Sequence, residues 1–445
     1  MNYKINYKIF KERRQKLLES VKKQYSDTAN GTILLIADFE NTYAGVFRQE
    51  SSFYYLTGLD QPACALMIGF DGKETLCVPH YGKEREKWVS SVITADQQTA
   101  RMYAVDEIAV WGDEMHGYVF PLLFSSEQSA LLAEKLKEVI KLSGSIFVLN
   151  PSDQHRNIQQ KIAFERLCAF AGVGADTGKD ISPIVAVMRR VKSKYEVEQM
   201  YKAIELTVIA HEGAACAMRE GVAECAIQAG VEYVFRESGA GPAFPSVIAT
   251  GRNSTVLHHT PSMHAIKSGE LVIVDIGAEV DHYCADLTRT YPASGHFTKR
   301  QREIYSIVLD VQRFIAEHAA PGYWLNNKKY PEKSLHHLAI DFLAKRKYDS
   351  YFSHAIGHFL GLDVHDVGDL NEPLREGDVI TIEPGLYIPD EKIGVRIEDD
   401  YWIIKDGLLC LSENLAKEPD LIEEMAQAQL DFDQDGEGEE DEDFE

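Results

Sequence analysis

The sequence lacks several features that mark secreted, membrane and disulfide-bonded proteins. Its seven cysteines are scattered, form no CxxC pair and are odd in number, which favours buried thiols in a reducing compartment over a disulfide frame. No window approaches the roughly 18–20 apolar residues of a membrane span. The first residues, MNYKINYKIFKERRQKLLESVKK, contain no apolar signal-peptide core. These absences predict a soluble, cytoplasmic protein.

Basic residues are scarce relative to acidic ones. The 445 residues include 46 Lys and Arg against 70 Asp and Glu, which gives a formal net charge of −24. The segment 431–445 holds ten acidic and no basic residues, and without those ten the net charge is still −14. Binding to phosphate backbones needs Lys/Arg patches, so nucleic acid and anionic membranes are excluded as partners.

The length predicts two domains, because 445 residues exceed one ordinary hydrophobic core. Short apolar runs alternate with helical patterns, which indicates the α/β (α+β) class. The Gly-rich, polar stretch AGVGADTGKDISP marks a boundary. We therefore expect a first domain over 1–172, a linker over 173–183, a second domain over 184–430 and a disordered acidic tail over 431–445.

Hydrophobic periodicity predicts the main elements of both domains. The predicted helices are 8–24, 127–142, 193–219, 225–237, 298–319 and 332–346. The predicted strands are 32–37, 64–70, 74–80, 145–151, 245–251, 379–388 and 393–404, together with a hairpin.

That hairpin is Leu271–Tyr291, LVIVDIGAEVDHYCADLTRTY, and it carries an aspartate in each strand. A turn centred between Val280 and Asp281 makes Asp275 face Asp286 directly. Directly opposed side chains on one face of a sheet have Cβ atoms roughly 4.5–5.5 Å apart. Two carboxylates that close cannot both stay ionised without a cation between them. The hairpin therefore predicts a metal-bridging aspartate pair.

Three histidines stand in the stretch SHAIGHFLGLDVHDVG. His354 and His358 are four residues apart, and His365 follows. This spacing suits a metal site on a helix, but packed or exposed histidines show it as well. Ala355 stands where the HExxH motif of zincin proteases needs glutamate, so that class is excluded. The two glycines of the stretch favour close backbone approach over an exposed helix.

Two glutamates lie inside apolar, β-branched runs. Glu383 ends the run VITIE, and Glu398 lies in GVRIEDD. Glutamate is almost never fully buried without a partner, although an edge strand with its glutamate in solvent would give the same pattern. Arg396 shares a strand face with Glu398 and is a candidate supporting partner.

The two aspartates and two glutamates together carry four negative charges, which two divalent ions would balance. One histidine, most naturally His358, completes an oxygen-rich ligand set. Such a set favours Mn²⁺ or a similar hard ion over structural zinc, with Co²⁺ or Zn²⁺ as alternatives. Two ions roughly 3.5–4 Å apart would hold a bridging hydroxide and polarise a carbonyl. The predicted reaction class is metal-assisted hydrolysis.

Four motifs, VDIGAEVDHYCADLTRTY, SHAIGHFLGLDVHDVG, TIEPGLYIP and GVRIEDD, resemble the pita-bread metallopeptidases of family M24. The resemblance is to the Xaa-Pro aminopeptidase (aminopeptidase P) branch. FRQESSFYYLTGLDQPACAL resembles the N-terminal domain of that branch, so the similarity covers nearly the whole chain apart from the tail. It implies a C-terminal pita-bread (creatinase/aminopeptidase) fold and an α/β creatinase-like N-terminal domain.

The resemblance also implies a role for each site residue. The implied metal ligands are Asp275, Asp286, His358, Glu383 and Glu398. His258 and His365 are implied to line the site and stabilise the gem-diolate of the transition state, and His354 to face the substrate. Glu383 is implied to shuttle a proton from the attacking water to the leaving nitrogen, and Arg396 to buttress a ligand aspartate.

The implied activity is hydrolysis of an N-terminal Xaa-Pro bond, which releases the residue before a penultimate proline. This bond is a tertiary amide on a ring that fixes φ, so it needs a dedicated pocket. An Xaa-Pro dipeptidase (prolidase) shares all five ligands and is the alternative, although the first domain favours the aminopeptidase. A non-catalytic pita-bread binding module is a further alternative, which the complete ligand set disfavours.

The chain departs from the family pattern at three places. Ala355 stands where glycine is usual, His259 where tyrosine is common, and segment 321–352 is short. We expect these differences to affect pocket shape and oligomer contacts rather than metal binding. Enzymes of the family are often dimers or tetramers, so the resemblance implies a homo-oligomer.

Overall fold

The chain divides into two units, Met1–Arg189 and Arg190–Glu445, in a computed structural model. The structure describes residues 7–40, 47–89, 93–142, 144–150 and 158–435. The predicted linker, 173–183, lies within the first unit, because residues 178–180 pair with the sheet of that unit. Gly172, directly before this segment, has a positive φ and lies in a turn inside the unit.

The first unit is built on one six-stranded sheet. Its strands are Gly31–Ile36 (β1), Ala65–Gly69 (β2), Glu74–Val78 (β3), Glu107–Val110 (β4), Ser145–Val148 (β5) and Gly178–Asp180 (β6). The order is β4-β3-β2-β1-β5-β6, with β1 antiparallel to β2 and parallel to β5. The four strands predicted here are confirmed as β1, β2, β3 and β5, whereas the short outer strands β4 and β6 were not predicted.

In the described part of the first unit, six α-helices accompany this sheet. They are Tyr7–Gln24 (α1), Ser51–Thr57 (α2), Gln97–Met102 (α3), Ala130–Lys141 (α4), Ile158–Ala171 (α5) and Ser182–Arg190 (α6). One face of the sheet buries an apolar cluster centred on Phe39, Trp111 and Phe124. Helix α4 contributes Leu132 and Leu136 to this cluster, which explains its apolar periodicity.

Over residues 190–435, the second unit has five α-helices. They are Lys194–Ala217 (α7), Glu224–Glu237 (α8), Lys299–His318 (α9), Leu335–Ala344 (α10) and Pro419–Asp435 (α11). A capping box starts α7, since the Ser193 hydroxyl accepts from the Glu196 N–H and the Glu196 carboxylate accepts from the Ser193 N–H. The four helices predicted here are confirmed as α7 to α10. Within the described residues, no helix combines the length and apolarity that crossing a bilayer requires.

The strands of the second unit form several small sheets. They are Gly241–Pro242 (β7), Val247–Thr250 (β8), Leu271–Ile276 (β9), Ala278–Val280 (β10), Tyr283–Cys284 (β11), Leu287–Pro292 (β12), Val379–Ile382 (β13), Gly385–Ile388 (β14), Ile393–Arg396 (β15), Asp399–Ile404 (β16) and Gly407–Cys410 (β17). Three sheets are three-stranded, in the orders β11-β10-β7, β12-β9-β8 and β13-β16-β17, and β14 pairs with β15.

The central hairpin is confirmed, but its predicted register is wrong. The turn lies at Asp281 and His282, both at positive φ, one residue later than predicted. Asp275 therefore pairs with Thr288 rather than with Asp286. Because side chains alternate along a strand, this shift of two residues moves Asp286 to a diagonal position without changing its face.

Each of the two predicted strands near the C-terminus is in fact two strands. The run 379–388 breaks into β13 and β14, and 393–404 breaks into β15 and β16. The first break falls at Glu383 and Pro384, where proline has no N–H to continue the ladder. The second falls at Ile397 and Glu398. Both glutamates therefore lie at strand ends rather than inside continuous strands.

The predicted acidic tail begins inside α11. This helix ends at Asp435, so the first five residues of segment 431–445 are helical rather than disordered. The remainder, 436–445, lies outside the described residues.

Candidate functional site

The carboxylate cluster consists of Asp275, Asp286, His358, Glu383 and Glu398. Ligand atoms of Asp286, His358 and Glu398 all lie within 4.8 Å of one another. The Nε2 atom of His358 is 3.4 Å from Asp286 Oδ2 and 3.6 Å from Glu383 Oε1. The structure thus brings residues from the hairpin, the histidine segment and two strand ends to one place.

The hairpin supplies the two aspartates through different contacts. Asp275, on β9, pairs with Arg396 at 2.5 Å between Oδ2 and Nη2, and its buried Oδ1 has no hydrogen-bond partner among the described residues. The backbone N–H of Asp286 donates to Asp400 Oδ2 at 3.2 Å. Gly277 makes the bend between them possible, because a Cβ there would lie 1.8 Å from the carbonyl oxygen of Ala285.

His358 lies on an irregular segment rather than on a helix. This segment is held against β13, where the His358 N–H donates to Thr381 Oγ1 and the Thr381 N–H donates to the His358 carbonyl. A Cβ at Gly357 would lie 2.0 Å from the Thr381 carbonyl oxygen, so the approach requires glycine. The His358 Nδ1–H donates to the Phe359 carbonyl at 3.0 Å, which turns Nε2 toward Asp286 and Glu383.

The two glutamates are each held by a threonine. The Thr288 hydroxyl donates to Glu398 Oε2 at 2.7 Å, across a bridge between β12 and the start of β16. The Thr381 hydroxyl lies 3.4 Å from Glu383 Oε1. Sequence reasoning missed both threonines. Thr288 lies two residues after Asp286, and Thr381 lies two residues before Glu383. This spacing is the signal that could have pointed to the threonines.

Burial and mutual repulsion make this cluster a poor place for negative charge alone. Burial, opposed by His358, raises the pKa of Asp286 to about 6. Burial and the charge of Asp286 raise the pKa of Glu383 to about 7, and they raise the pKa of Glu398 well above its usual range. Burial lowers the pKa of His358, but Asp286 and Glu383 outweigh it and raise the value to about 9. Four carboxylates in this setting need cations to be ionised together.

These properties fit a site for divalent cations. Asp275 Oδ1, which has no hydrogen-bond partner among the described residues, adds to the convergent donors of Asp286, His358 and Glu398, and together they form an oxygen-rich donor set. Hard divalent ions prefer such donors.

A chain of hydrogen bonds joins the cluster to His354. Arg396 Nη1 donates to the Tyr387 hydroxyl at 2.8 Å, and the Tyr387 hydroxyl bonds His354 Nε2 at 2.9 Å. His354 Nδ1 lies 2.8 Å from the Ala355 carbonyl, so it carries the proton and Nε2 accepts. Burial and the nearby Arg396 lower the pKa of His354 to about 4, which keeps its imidazole neutral.

Sequence reasoning missed Tyr387. A Cβ at Gly385 would lie 2.5 Å from the Tyr387 hydroxyl, so the glycine of TIEPGLYIP leaves room for that group. A buried tyrosine two residues after such a glycine was the available signal, because buried hydroxyls need a partner.

Of the two remaining predicted site histidines, His365 lies beside the cluster and His258 lies near His354. The ring of His365 is 4.2 Å from that of His358, measured between centroids. His258 is exposed, and it adds to the lowering of the His354 pKa after burial, Arg396 and His336.

Comparisons with known proteins agree with this geometry. The sequence profile of metallopeptidase family M24 matches residues 198–405, and that of the aminopeptidase P N-terminal domain matches residues 10–132. The chain is 30% identical to the Xaa-Pro aminopeptidase of Escherichia coli strain K12, over 94% of this chain and 97% of that protein. It is 31% identical to Xaa-Pro aminopeptidase 3 of Mus musculus, over 93% of this chain and 84% of that protein.

The fold is similar as well. An alanine variant of Escherichia coli aminopeptidase P, solved in complex with substrate, matches with a TM-score of 0.80 and 26% identity. The match covers 96% of this chain and all of that one. The predicted α/β fold class, with a pita-bread domain after an aminopeptidase P N-terminal domain, is confirmed. Because identity, fold and profile agree over most of its length, this chain belongs to metallopeptidase family M24, in the aminopeptidase P branch.

Proposed function

We propose that this chain is an Xaa-Pro aminopeptidase, which hydrolyses the first peptide bond of a substrate whose second residue is proline. The observation that carries the proposal is the convergence of Asp286, His358 and Glu398 within 4.8 Å, with Asp275 and Glu383 beside them. Relatives named Xaa-Pro aminopeptidase match along nearly the whole chain.

The proposed metal ligands are the five members of the carboxylate cluster. Two divalent ions, when bound there, supply positive charge that lowers the pKa of water and polarises the scissile carbonyl. The chain's own contribution is to orient the donors. Thr288 fixes Glu398, the Phe359 carbonyl fixes the His358 tautomer, and Arg396 fixes Asp275.

We assign the proton transfer to Glu383. The nitrogen of an Xaa-Pro bond has no hydrogen, so it must receive a proton to leave as the proline amine. The Glu383 carboxylate, whose Oε1 lies 3.6 Å from His358 Nε2, would accept a proton from water and return it to that nitrogen. His258 and His365 would stabilise the developing negative charge, and His354 would face the substrate.

Three further points extend this proposal. The oxygen-rich donor set supports Mn²⁺ as the native metal, with Co²⁺ or Zn²⁺ as alternatives. The family resemblance supports a homo-oligomer, a dimer or a tetramer. The scatter of seven cysteines supports a reducing, cytoplasmic setting.

The test is an assay of an Xaa-Pro-Xaa tripeptide and an Xaa-Pro dipeptide, after EDTA treatment and again after Mn²⁺ is restored. We expect tripeptide cleavage that disappears with chelation and returns with the metal. The variant Asp286→Asn should lose both activity and bound metal while its circular dichroism stays that of wild type. Asp281→Asn, an identical change at an exposed position of the hairpin turn, should behave as wild type.

Two outcomes would overturn the proposal. Cleavage of the dipeptide alone would make the chain a prolidase. Absence of both bound metal and peptidase activity after Mn²⁺ addition would make it a non-catalytic binding module.

A further inference from the structure

One fully buried carboxylate holds the segment that carries His258. Glu224, the first residue of α8, is 0% exposed and accepts five hydrogen bonds. Its Oε1 accepts from the Thr250 N–H at 3.0 Å and from Asn253 Nδ2 at 2.9 Å. Its Oε2 accepts from His259 Nε2 at 2.8 Å, and from the N–H and hydroxyl of Ser262 at 3.1 and 2.8 Å.

These partners bracket one loop. Thr250 ends β8, and Ser262 lies twelve residues later, so one carboxylate fixes both ends of the segment that contains His258. The backbone adds two bonds, since the N–H of Glu224 donates to the His264 carbonyl and that of Cys225 to the Ser262 carbonyl. The position at a helix N-terminus also favours the negative charge. Burial raises the pKa of Glu224, but the hydrogen bonds from Asn253 and His259 outweigh it, so the pKa is lowered.

The loop packs against residues that neighbour the site. Leu257 packs against a small apolar cluster that includes Ile273 of β9 and Tyr387. Tyr387 is the residue whose hydroxyl bonds His354 and Arg396. Gly394 of β15 lets the loop approach, because a Cβ there would lie 1.9 Å from the Ser254 carbonyl oxygen. His258, next to Leu257, is therefore held beside His354 by a loop whose two ends meet at Glu224.

We propose that Glu224 is a positioning residue for His258, which it holds beside His354 by fixing both ends of the loop 250–262. The inference rests on the proposed function, in which His258 stabilises the transition state. Glu224 does not contact substrate, and it affects catalysis only by positioning His258. His259 supplies one of the five donors and so adjusts the same anchor.

The test is a double-mutant cycle between Glu224→Ala and His258→Ala, read as kcat and KM on an Xaa-Pro-Xaa peptide with Mn²⁺. Each single variant should lower kcat about 10- to 100-fold with KM nearly unchanged, because loss of precise placement costs this much. In the His258→Ala background, Glu224→Ala should cost less than about threefold more, because interacting residues are not additive. Bound metal should remain at the wild-type level in all three variants.

Two milder variants guard against a folding defect. Glu224→Gln keeps an acceptor for Thr250 and Asn253 but turns an amide N–H toward the Ser262 N–H, so we expect an intermediate loss of kcat. Ser262→Ala removes one donor and should cost still less. Glu237→Ala, at the exposed end of the same helix, is the matched control and should behave as wild type.

Two results would overturn the positioning role while leaving the proposed function intact. One is an active wild type in which the Glu224 and His258 effects multiply independently, as a general loss of folded protein would produce. The other is wild-type kcat in Glu224→Ala. A wild type that does not cleave the peptide would instead refute the proposed function itself.

Discussion

Strands β12 and β16 carry buried polar side chains on both faces, and the charged groups on the two faces have different partners. On one face Thr288 bonds Glu398, a member of the carboxylate cluster. On the other face the next residues, Arg289 and Asp399, pair at 2.7 Å with both side chains fully buried. Successive residues of a strand point to opposite faces, so neighbouring positions serve two distinct clusters.

The second cluster, the Arg289 network, comprises Arg289, Gln312, Asp399, Ser412 and Lys417. The Arg289 guanidinium donates to Asp399 and to four backbone carbonyls. Asp399 accepts from all four other members of the network. Burial raises the pKa of Asp399, but Arg289 and Lys417 outweigh it and hold the pKa below its usual range.

The carboxylate cluster shows the opposite pattern. One arginine and one histidine accompany four carboxylates, and the pKa values of Asp286, Glu383 and Glu398 are raised by burial and repulsion. The difference teaches that burial alone does not identify a functional site. A buried cluster whose carboxylate has cationic partners serves stability, whereas one whose negative charge exceeds that of its cationic partners is poised to bind cations.

The largest effect should come from Glu383→Gln, which should lower activity and raise stability. Loss of the proton transfer proposed for Glu383 should reduce kcat/KM by about 10³-fold. Burial raises the pKa of Glu383 to about 7, so ionising it costs free energy at pH 8 without metal, and the variant should unfold at higher denaturant concentration than wild type in EDTA. Peptidase assays and urea titrations measure the two effects, with exposed Glu376→Gln as the control. A variant that is both inactive and less stable would contradict the proposed difference between the carboxylate cluster and the Arg289 network.

The Arg289 network should respond in the reverse way to Asp399→Asn. The change leaves Arg289 buried without its anion, so the free energy of unfolding should fall by about 3 kcal/mol. Chemical denaturation measures this, and Asp406→Asn in the exposed turn before β17 is the matched control. An unchanged midpoint would mean that the carbonyl acceptors suffice for Arg289.

His211, a neighbour of Arg289, should make the stability of the protein depend on pH. Its ring lies 3.2 Å from the Tyr291 hydroxyl and 3.1 Å from the Leu287 carbonyl, and burial and Arg289 lower its pKa to about 3. Below pH 6.5 the unfolded chain binds a proton that the folded chain does not, so stability falls as the pH falls. The loss should reach about 2 kcal/mol at pH 5. His211→Gln should remove this part of the slope in denaturation series from pH 7 to 5; an unchanged slope would contradict the assignment.

The smallest effect should come from Tyr387→Phe, which tests the hydrogen bonds that join Arg396 to His354. The variant loses the hydroxyl between Arg396 and His354, a cost of about 1 kcal/mol. This corresponds to about a fivefold decrease in kcat/KM with metal content unchanged. Tyr330→Phe, on a partly exposed ring, is the control. A decrease of a hundredfold or more would mean that the hydroxyl acts on the substrate itself.

The choice of candidate ligands followed from local sequence. Carboxylates inside apolar runs are rare, and their charges must be balanced, so Asp275, Asp286, Glu383 and Glu398 stood out without a structure. The hairpin shows why the prediction tolerated an error. Moving the turn by one residue changed the partner of Asp275 from Asp286 to Thr288, but alternation kept both aspartates on one face.

Other features were not readable from local patterns. The breaks after β13 and β15 were missed because apolar, β-branched runs look the same whether a strand continues or ends. The roles of Tyr387 and Glu224 depend on partners reached only when distant segments meet, such as Glu224 with Ser262 and Tyr387 with His354.

The sequence by itself therefore determined the fold class, most elements and the members of the carboxylate cluster, because periodicity and charge act over short stretches of chain. Only the tertiary structure decided the hairpin register, the His358 tautomer and the anchoring of the His258 loop. Each of these depends on a close contact or hydrogen bond that forms when the chain is folded, and no local preference specifies such a bond.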